Sequence, residues 1–214
     1  MIAIIDYGIG NLRSVEKALL HVGGDARLTA DPTVVRAAHG VVVPGVGAFG
    51  ACALGLRSGG FESLVLETAR TGKPLLGICV GMQLLFESSE EMGQHAGLGL
   101  LPGQVLRFPE GTVDAAGQRL KVPQIGWNQL HHDESDPLLA GVPAGSFAYF
   151  VHSYYCAPAE PSDVIATTDY GLDYASIVRR DNLWGVQFHP EKSQAVGLQI
   201  LRNFVAITAD RRAV

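Results

Sequence analysis

The sequence has no cluster of basic residues, no long unbroken apolar run and only three cysteines, and each shortage removes a class of function. Sixteen Lys and Arg stand against 21 Asp and Glu, for a formal charge of −5. Holding a phosphate backbone takes clustered cations, so no nucleic-acid-binding surface is expected. The longest weakly polar stretch, 41–56, is broken by Pro44 and by Gly45, Gly47, Gly50 and Gly55. It is also shorter than the roughly 18–20 residues that span a bilayer. Met1–Asp6 carries no basic flank and no cleavage signature, so no signal peptide is expected. Cys52, Cys79 and Cys156 are odd in number and include no CxxC spacing, which suits free thiols in a reducing compartment better than disulfides or zinc. The expectation is a cytoplasmic protein without membrane association, metal or cofactor.

What is present suits a folded α/β chain. Hydrophobic residues make up 47% and charged residues 17% of 214, enough for one core, so a single domain over 1–214 is expected. Met1–Ile5 reads as a strand, and Leu12, Val15, Leu19 and Val22 follow at helical spacing until Gly23-Gly24. Val41–Val43 and Leu75–Ile78 are fully apolar, as central parallel strands covered on both faces are. Phe61–Thr71 reads as a helix between them, and a second helical pattern runs from Val80 to Glu87. From about Leu100 to Phe188 the apolar runs are short and separated by turns: 121–125, 147–154, 164–168, 175–178 and 183–188. A last amphipathic helix carries Val196, Ile200, Leu201, Phe204 and Val205. The fold class is therefore α/β: a central, mostly parallel twisted sheet flanked by helices, with a β-rich second half.

Gly77-Ile78-Cys79-Val80-Gly81 sits where a buried strand turns into a helix, with the glycine spacing of a nucleophile elbow and Cys in the nucleophile position. Helix N-terminal amides, Val80 foremost, would favour a thiolate and could hold an oxyanion. Gly185-Val186-Gln187-Phe188-His189-Pro190-Glu191 supplies the complement: a histidine at a strand end and a carboxylate two residues on. Cysteine chemistry needs a base within reach of the thiol and a third group to orient that base. Pro44-Gly45-Val46-Gly47 ends another apolar strand and can offer backbone amides at the sheet's carboxyl edge. Gly8-Ile9-Gly10-Asn11 lacks the third glycine of a dinucleotide loop, and His131-His132-Asp133 lacks ligands at i+4 spacing.

Taken together, G-I-C-V-G-M-Q and G-V-Q-F-H-P-E resemble the class I (triad) glutamine amidotransferases, a likeness that runs from Asp6 to Phe204. Pro44–Phe49, Gly126-Trp127-Asn128, Phe150–Tyr155, His189–Ser193 and Leu201–Phe204 are similar to the glutaminase subunits of imidazole glycerol phosphate synthases. The resemblance implies a flavodoxin-like sheet and a triad of Cys79, His189 and Glu191. It also implies glutamine hydrolysis through a Cys79 thioester, with ammonia passed to a (β/α)8-barrel cyclase subunit in histidine biosynthesis. By position it puts Gly45, Gly47, Gln83, His152, Ser153 and Tyr154 at the substrate and Val46 with Val80 at the oxyanion hole. Asn11, Trp127 and Lys192 fall at the partner interface. One segment departs from the family's frequent P-H-M-G-W-N, reading Pro123-Gln124-Ile125, which removes any role a histidine would have there. Two alternatives stay open: a subunit serving another synthase, and an inactive α/β scaffold.

Overall fold

Strand and helix alternate through the first half: β1 (Ile2–Ile5), α1 (Leu12–His21), β2 (Ala26–Thr29), α2 (Pro32–Ala37), β3 (Gly40–Val43), α3 (Phe49–Ser58), α4 (Phe61–Arg70), β4 (Leu75–Ile78) and α5 (Val80–Gln83). Strands then dominate: β5 (Phe86–Ser89), β6 (His95–Ala96), β7 (Leu101–Arg107), β8 (Gln124–Gln129), β9 (Phe147–His152), β10 (Tyr154–Pro158), β11 (Val164–Asp169), β12 (Asp173–Arg180) and β13 (Leu183–Val186). Helix α6 (Gln194–Asp210) follows. The structure, a computed structural model, describes residues 1–114 and 116–210. Position 115 and residues 211–214 of the expected 1–214 domain lie outside them.

Five strands in the order β2-β1-β3-β4-β13 run parallel. Beyond β13 the sheet continues antiparallel through β12, β10 and β7, and β5 then pairs parallel to β7. The parallel heart and the β-rich second half are those expected from the sequence. Every residue of β1, β3, β4 and β13 is buried, because helices cover both faces of a parallel sheet and leave no polar side. The apolar stripes of α1 (Val15, Ala18, Leu19) and α4 (Phe61, Leu64, Val65) supply that cover. Strands β8 and β9 form a separate two-stranded ladder outside the sheet.

This topology gathers three loops. Val43 pairs with Gly77 and Ile78 with Val186, so β3, β4 and β13 end side by side. The segments after them, 44–47, Cys79 and 187–191, open on one edge, the carboxyl edge where open α/β sheets hold their sites.

One element differs from expectation. The helix after Cys79 was expected to reach Glu87 but stops at Gln83, and Phe86 begins a strand. The carbonyls a longer helix would use are claimed by a distant segment: Leu98 N–H donates to Leu84 at 2.8 Å, and Leu100 and Leu101 both donate to Leu85 at 2.9 Å. Leu84, Leu85 and Phe86 are all buried, so an apolar run that suits a helix face serves equally as a covered strand entry. Among the described residues no helix is long and apolar enough to cross a membrane.

Candidate active site

Cys79 has φ 55° and ψ −114°, a backbone state that costs a non-glycine residue roughly 1–3 kcal/mol and persists only where its surroundings impose it. Its N–H donates to Val186 O at 2.8 Å, which ties the turn to β13. The flanking glycines are a packing requirement. A Cβ on Gly81 would lie 1.9 Å from Val43 O, one on Gly77 2.5 Å from Gly81 O, and one on Gly45 2.7 Å from Gly81 N. Strand β3 therefore runs hard against the elbow, and no side chain fits between them. The following helix is a single turn in which the Met82 and Gln83 amides both donate to Cys79 O, at 3.0 and 3.2 Å. The Val80 and Gly81 amides are those not spent within the turn. The amides expected to face the thiol thus belong to one turn and not to the longer helix read from the sequence.

His189 and Glu191 lie against this elbow. His189 Nδ1 is 3.0 Å from Glu191 Oε1, and the two side chains are 4% and 1% exposed. The turn between them is clamped: Ser193 Oγ donates to His189 O at 2.7 Å and accepts from Tyr149 N–H at 2.9 Å. Burial works against an imidazolium, but the hydrogen bonds and charges of Cys79 and Glu191 outweigh it and raise His189 to about 9. Burial likewise pushes the Glu191 carboxyl up, and hydrogen bonding to His189, its charge and the Asn11 amide bring it below the ordinary value. Asn11 stands at the N-cap of α1 without capping it. Its side chain instead donates to Glu191 Oε1 at 3.0 Å, so this residue, expected at a partner interface, reaches the back of the carboxylate.

A cavity of about 380 Å³ opens over the thiol. Of the residues singled out from sequence, Val46, Gly47, Cys79, Val80, Gln83, His152, Ser153, Tyr154, His189 and Lys192 line it. Gly45 does not; it packs beneath Val80 and Gly81. Gly47, with φ +81°, gives the 44–47 loop the left-handed turn that favours glycine. His152 is buried and held neutral: burial pulls it down to about 4 despite its bond to Tyr154 O. Gln124, the departure from the family pattern, is buried and accepts from Tyr174 O–H at 3.0 Å, and that hydroxyl lies 3.3 Å from His152 Nε2. The position thus carries a buried polar role without a histidine. Trp127 lies outside the cavity, 46% exposed on the β8–β9 ladder beside Ile125, Phe147 and Val151 at 62%, 51% and 36%.

Three residues at the site escaped sequence reasoning. Gln187 is fully buried and points Nε2 at Cys79 Sγ, 3.9 Å away. Glu91 brings a carboxylate to the cavity wall and accepts from Phe49 N–H at 2.6 Å. Tyr7 donates to Pro44 O at 2.5 Å beneath the glycine loop. Gln187 lies inside G-V-Q-F-H-P-E, so its place before the histidine was a usable signal. Glu91 and Tyr7 carried none, being polar residues in unremarked loops.

Comparison with known proteins agrees with this geometry. The family model for glutamine amidotransferase class-I matches residues 3–207. The imidazole glycerol phosphate synthase subunit HisH of Syntrophotalea carbinolica is 53% identical over 204 residues, which is 95% of this chain and 98% of that one. The HisH subunit of Geobacter sulfurreducens is 54% identical over 203 residues, 95% and 97% of the two chains. Among solved structures, a glutamine amidotransferase superposes with a TM-score of 0.73 at 19% identity, covering 98% of this chain and 100% of its own. The structure of PurLQS from Thermotoga maritima gives 0.70 at 17%, covering 100% and 98%; at these identities the likeness is one of fold. The chain belongs to the class-I glutamine amidotransferases and, within them, to the HisH subunits of imidazole glycerol phosphate synthase.

Proposed function

We propose that this chain hydrolyses glutamine to glutamate and ammonia at Cys79 and delivers the ammonia to a (β/α)8-barrel cyclase subunit making imidazole glycerol phosphate for histidine. The observation that carries the reading is the buried Cys79–His189–Glu191 series, whose Cys79 and His189 line one cavity. Cys79 Sγ attacks the γ-carboxamide carbon while His189 takes the thiol proton. The Val80 amide, with the Val46–Gly47 segment, stabilises the oxyanion. The C–N bond then breaks, His189 returns the proton to the leaving nitrogen, and ammonia departs from a γ-glutamyl thioester. Water, deprotonated by His189, cleaves the thioester to glutamate and the free thiol. Glu191 keeps the imidazole in one tautomer throughout.

Substrate recognition follows from what lines the cavity. Glu91 supplies a carboxylate for the α-ammonium group of glutamine, and Gly47, Gln83 and the His152–Tyr154 segment flank its side chain. Trp127, with the apolar face of the β8–β9 ladder, and Lys192 at the cavity rim receive the cyclase. An exposed apolar patch beside a site marks an interaction surface. The setting is the cytoplasm. The test is glutamate release by the purified chain, alone and with the cyclase subunit plus its ribulosyl ligand. Slow release alone and a large rise in the mixture are expected. No release in either case would return the chain to a scaffold role, and stimulation only by another synthase would move it to that partner.

A further inference from the structure

We propose that Gln187 is a positioning residue for the Cys79 thiolate, aimed by a one-way chain of carboxamide hydrogen bonds that begins at the Tyr154 carbonyl. The proposal rests on the reading of Cys79 as nucleophile and adds what holds its sulfur.

The direction of the chain follows from which atoms can donate. The Tyr154 carbonyl can only accept. Gln83, 3.2 Å away, must therefore present its NH₂ group to it and not its oxygen. A carboxamide nitrogen has two hydrogens, and the second faces Gln187 Oε1, also at 3.2 Å. With its oxygen committed to Gln83, Gln187 has its own NH₂ turned the other way, onto Cys79 Sγ at 3.9 Å. Sulfur is large and its hydrogen bonds are long, so this N–H meets the atom on which charge develops when the thiol ionises. A thiolate accepts and does not donate, so the chain matches the reactive form of the cysteine better than the resting thiol.

The origin of the chain is itself fixed. His152 Nδ1 donates to the same Tyr154 carbonyl at 2.8 Å, and its Nε2 meets the Tyr174 hydroxyl that bonds Gln124. Gln83 and Gln187 are 3% and 0% exposed, so water does not compete for these donors and a reversed amide would leave buried groups facing like groups. A second consequence concerns Gln83. Both its hydrogens serve protein acceptors, so what it offers glutamine is its Oε1, an acceptor for a substrate N–H.

The experiment measures alkylation of Cys79 by iodoacetamide against pH, site-resolved by mass spectrometry, on the full chain. Gln187→Met, which removes the N–H without adding charge, should move the midpoint upward by about one pH unit, a tenfold slower reaction below it. Glutaminase kcat should fall with KM changed less than about twofold. Should Gln187→Met fail to fold, Gln83→Leu leaves Gln187 in place but lets its amide turn, and the midpoint should rise by a smaller amount. A merely structural role for Gln187 would lower thermal stability and leave the midpoint where it is in the wild type. That result in folded variants overturns the proposal. The alkylation midpoint is readable whether or not glutamine is turned over, so absent glutamate release overturns the functional reading and an unmoved midpoint overturns the relay.

Discussion

The elbow region and the β8–β9 ladder lie on either side of one cavity and are built by opposite rules. Around Cys79 every supporting strand is buried, the glycines admit no Cβ, and the side chains of His189 and Glu191 are all but sealed from solvent. On the ladder Ile125, Trp127 and Phe147 stand half open to water with apolar side chains. Apolar side chains gathered in one open patch, in a chain that buries most of its others, are the ground for the proposed docking of the cyclase. The contrast is between a packed, closed set of side chains around Cys79 and an apolar face beside it left open to solvent.

The largest losses are expected on the rigid side. Cys79→Ala should lower glutamate release by about a thousandfold or more in the assembled enzyme, because nothing else in the cavity can form the thioester. Next, Gly81→Ala drives a Cβ to 1.9 Å from Val43 O and should cost about 3 kcal/mol or more in urea unfolding. A tolerated alanine would show that β3 is not pressed against the elbow. On the open side, Trp127→Ala should weaken cyclase binding about 10- to 100-fold by titration calorimetry. The isolated chain's own stability should stay within about 0.5 kcal/mol, since the ring is half exposed.

The last effect is on pH. His152, at the end of the ladder strand β9, is held near 4 while an unfolded histidine titrates near 6.5. The unfolded chain therefore binds the extra proton, and this contribution to stability drains away as pH falls from about 6.5 towards 4. His189 runs the other way. Raised to about 9, its contribution is complete below about 6.5 and is lost as pH rises through 9. Urea midpoints across pH 4–9 should fall on both sides, and His152→Phe, if folded, should flatten the acid side alone.

The parts of the site legible in sequence were those written in contiguous residues. G-I-C-V-G and Q-F-H-P-E each carry their geometry in one turn, so Cys79, His189 and Glu191 could be named before any coordinates. Strands β1, β3 and β4 were legible because a short, fully apolar run rich in branched residues and ended by a turn has few other readings. Helix α3 was not: Gly50 and Gly55 interrupt its pattern, and it is held by tertiary contacts such as the Glu91 carboxylate on Phe49 N–H. Nor was the end of α5, since the amides that take the carbonyls of Leu84 and Leu85 come from residues 98–101. Gln83 and Gln187 are 104 positions apart, and no local pattern announces such a meeting.

The ladder's isolation has a consequence for the chain on its own. Among the described residues β8 and β9 pair as strands only with each other, and although Tyr149 on the outer edge of β9 is bonded to His189 and Ser193, the apolar side chains of Ile125, Trp127 and Phe147 stand open on the ladder. Open apolar faces of this kind associate with one another. Copies made in excess of a partner that covers this face would associate through it, and the aggregation of the lone chain should rise with concentration.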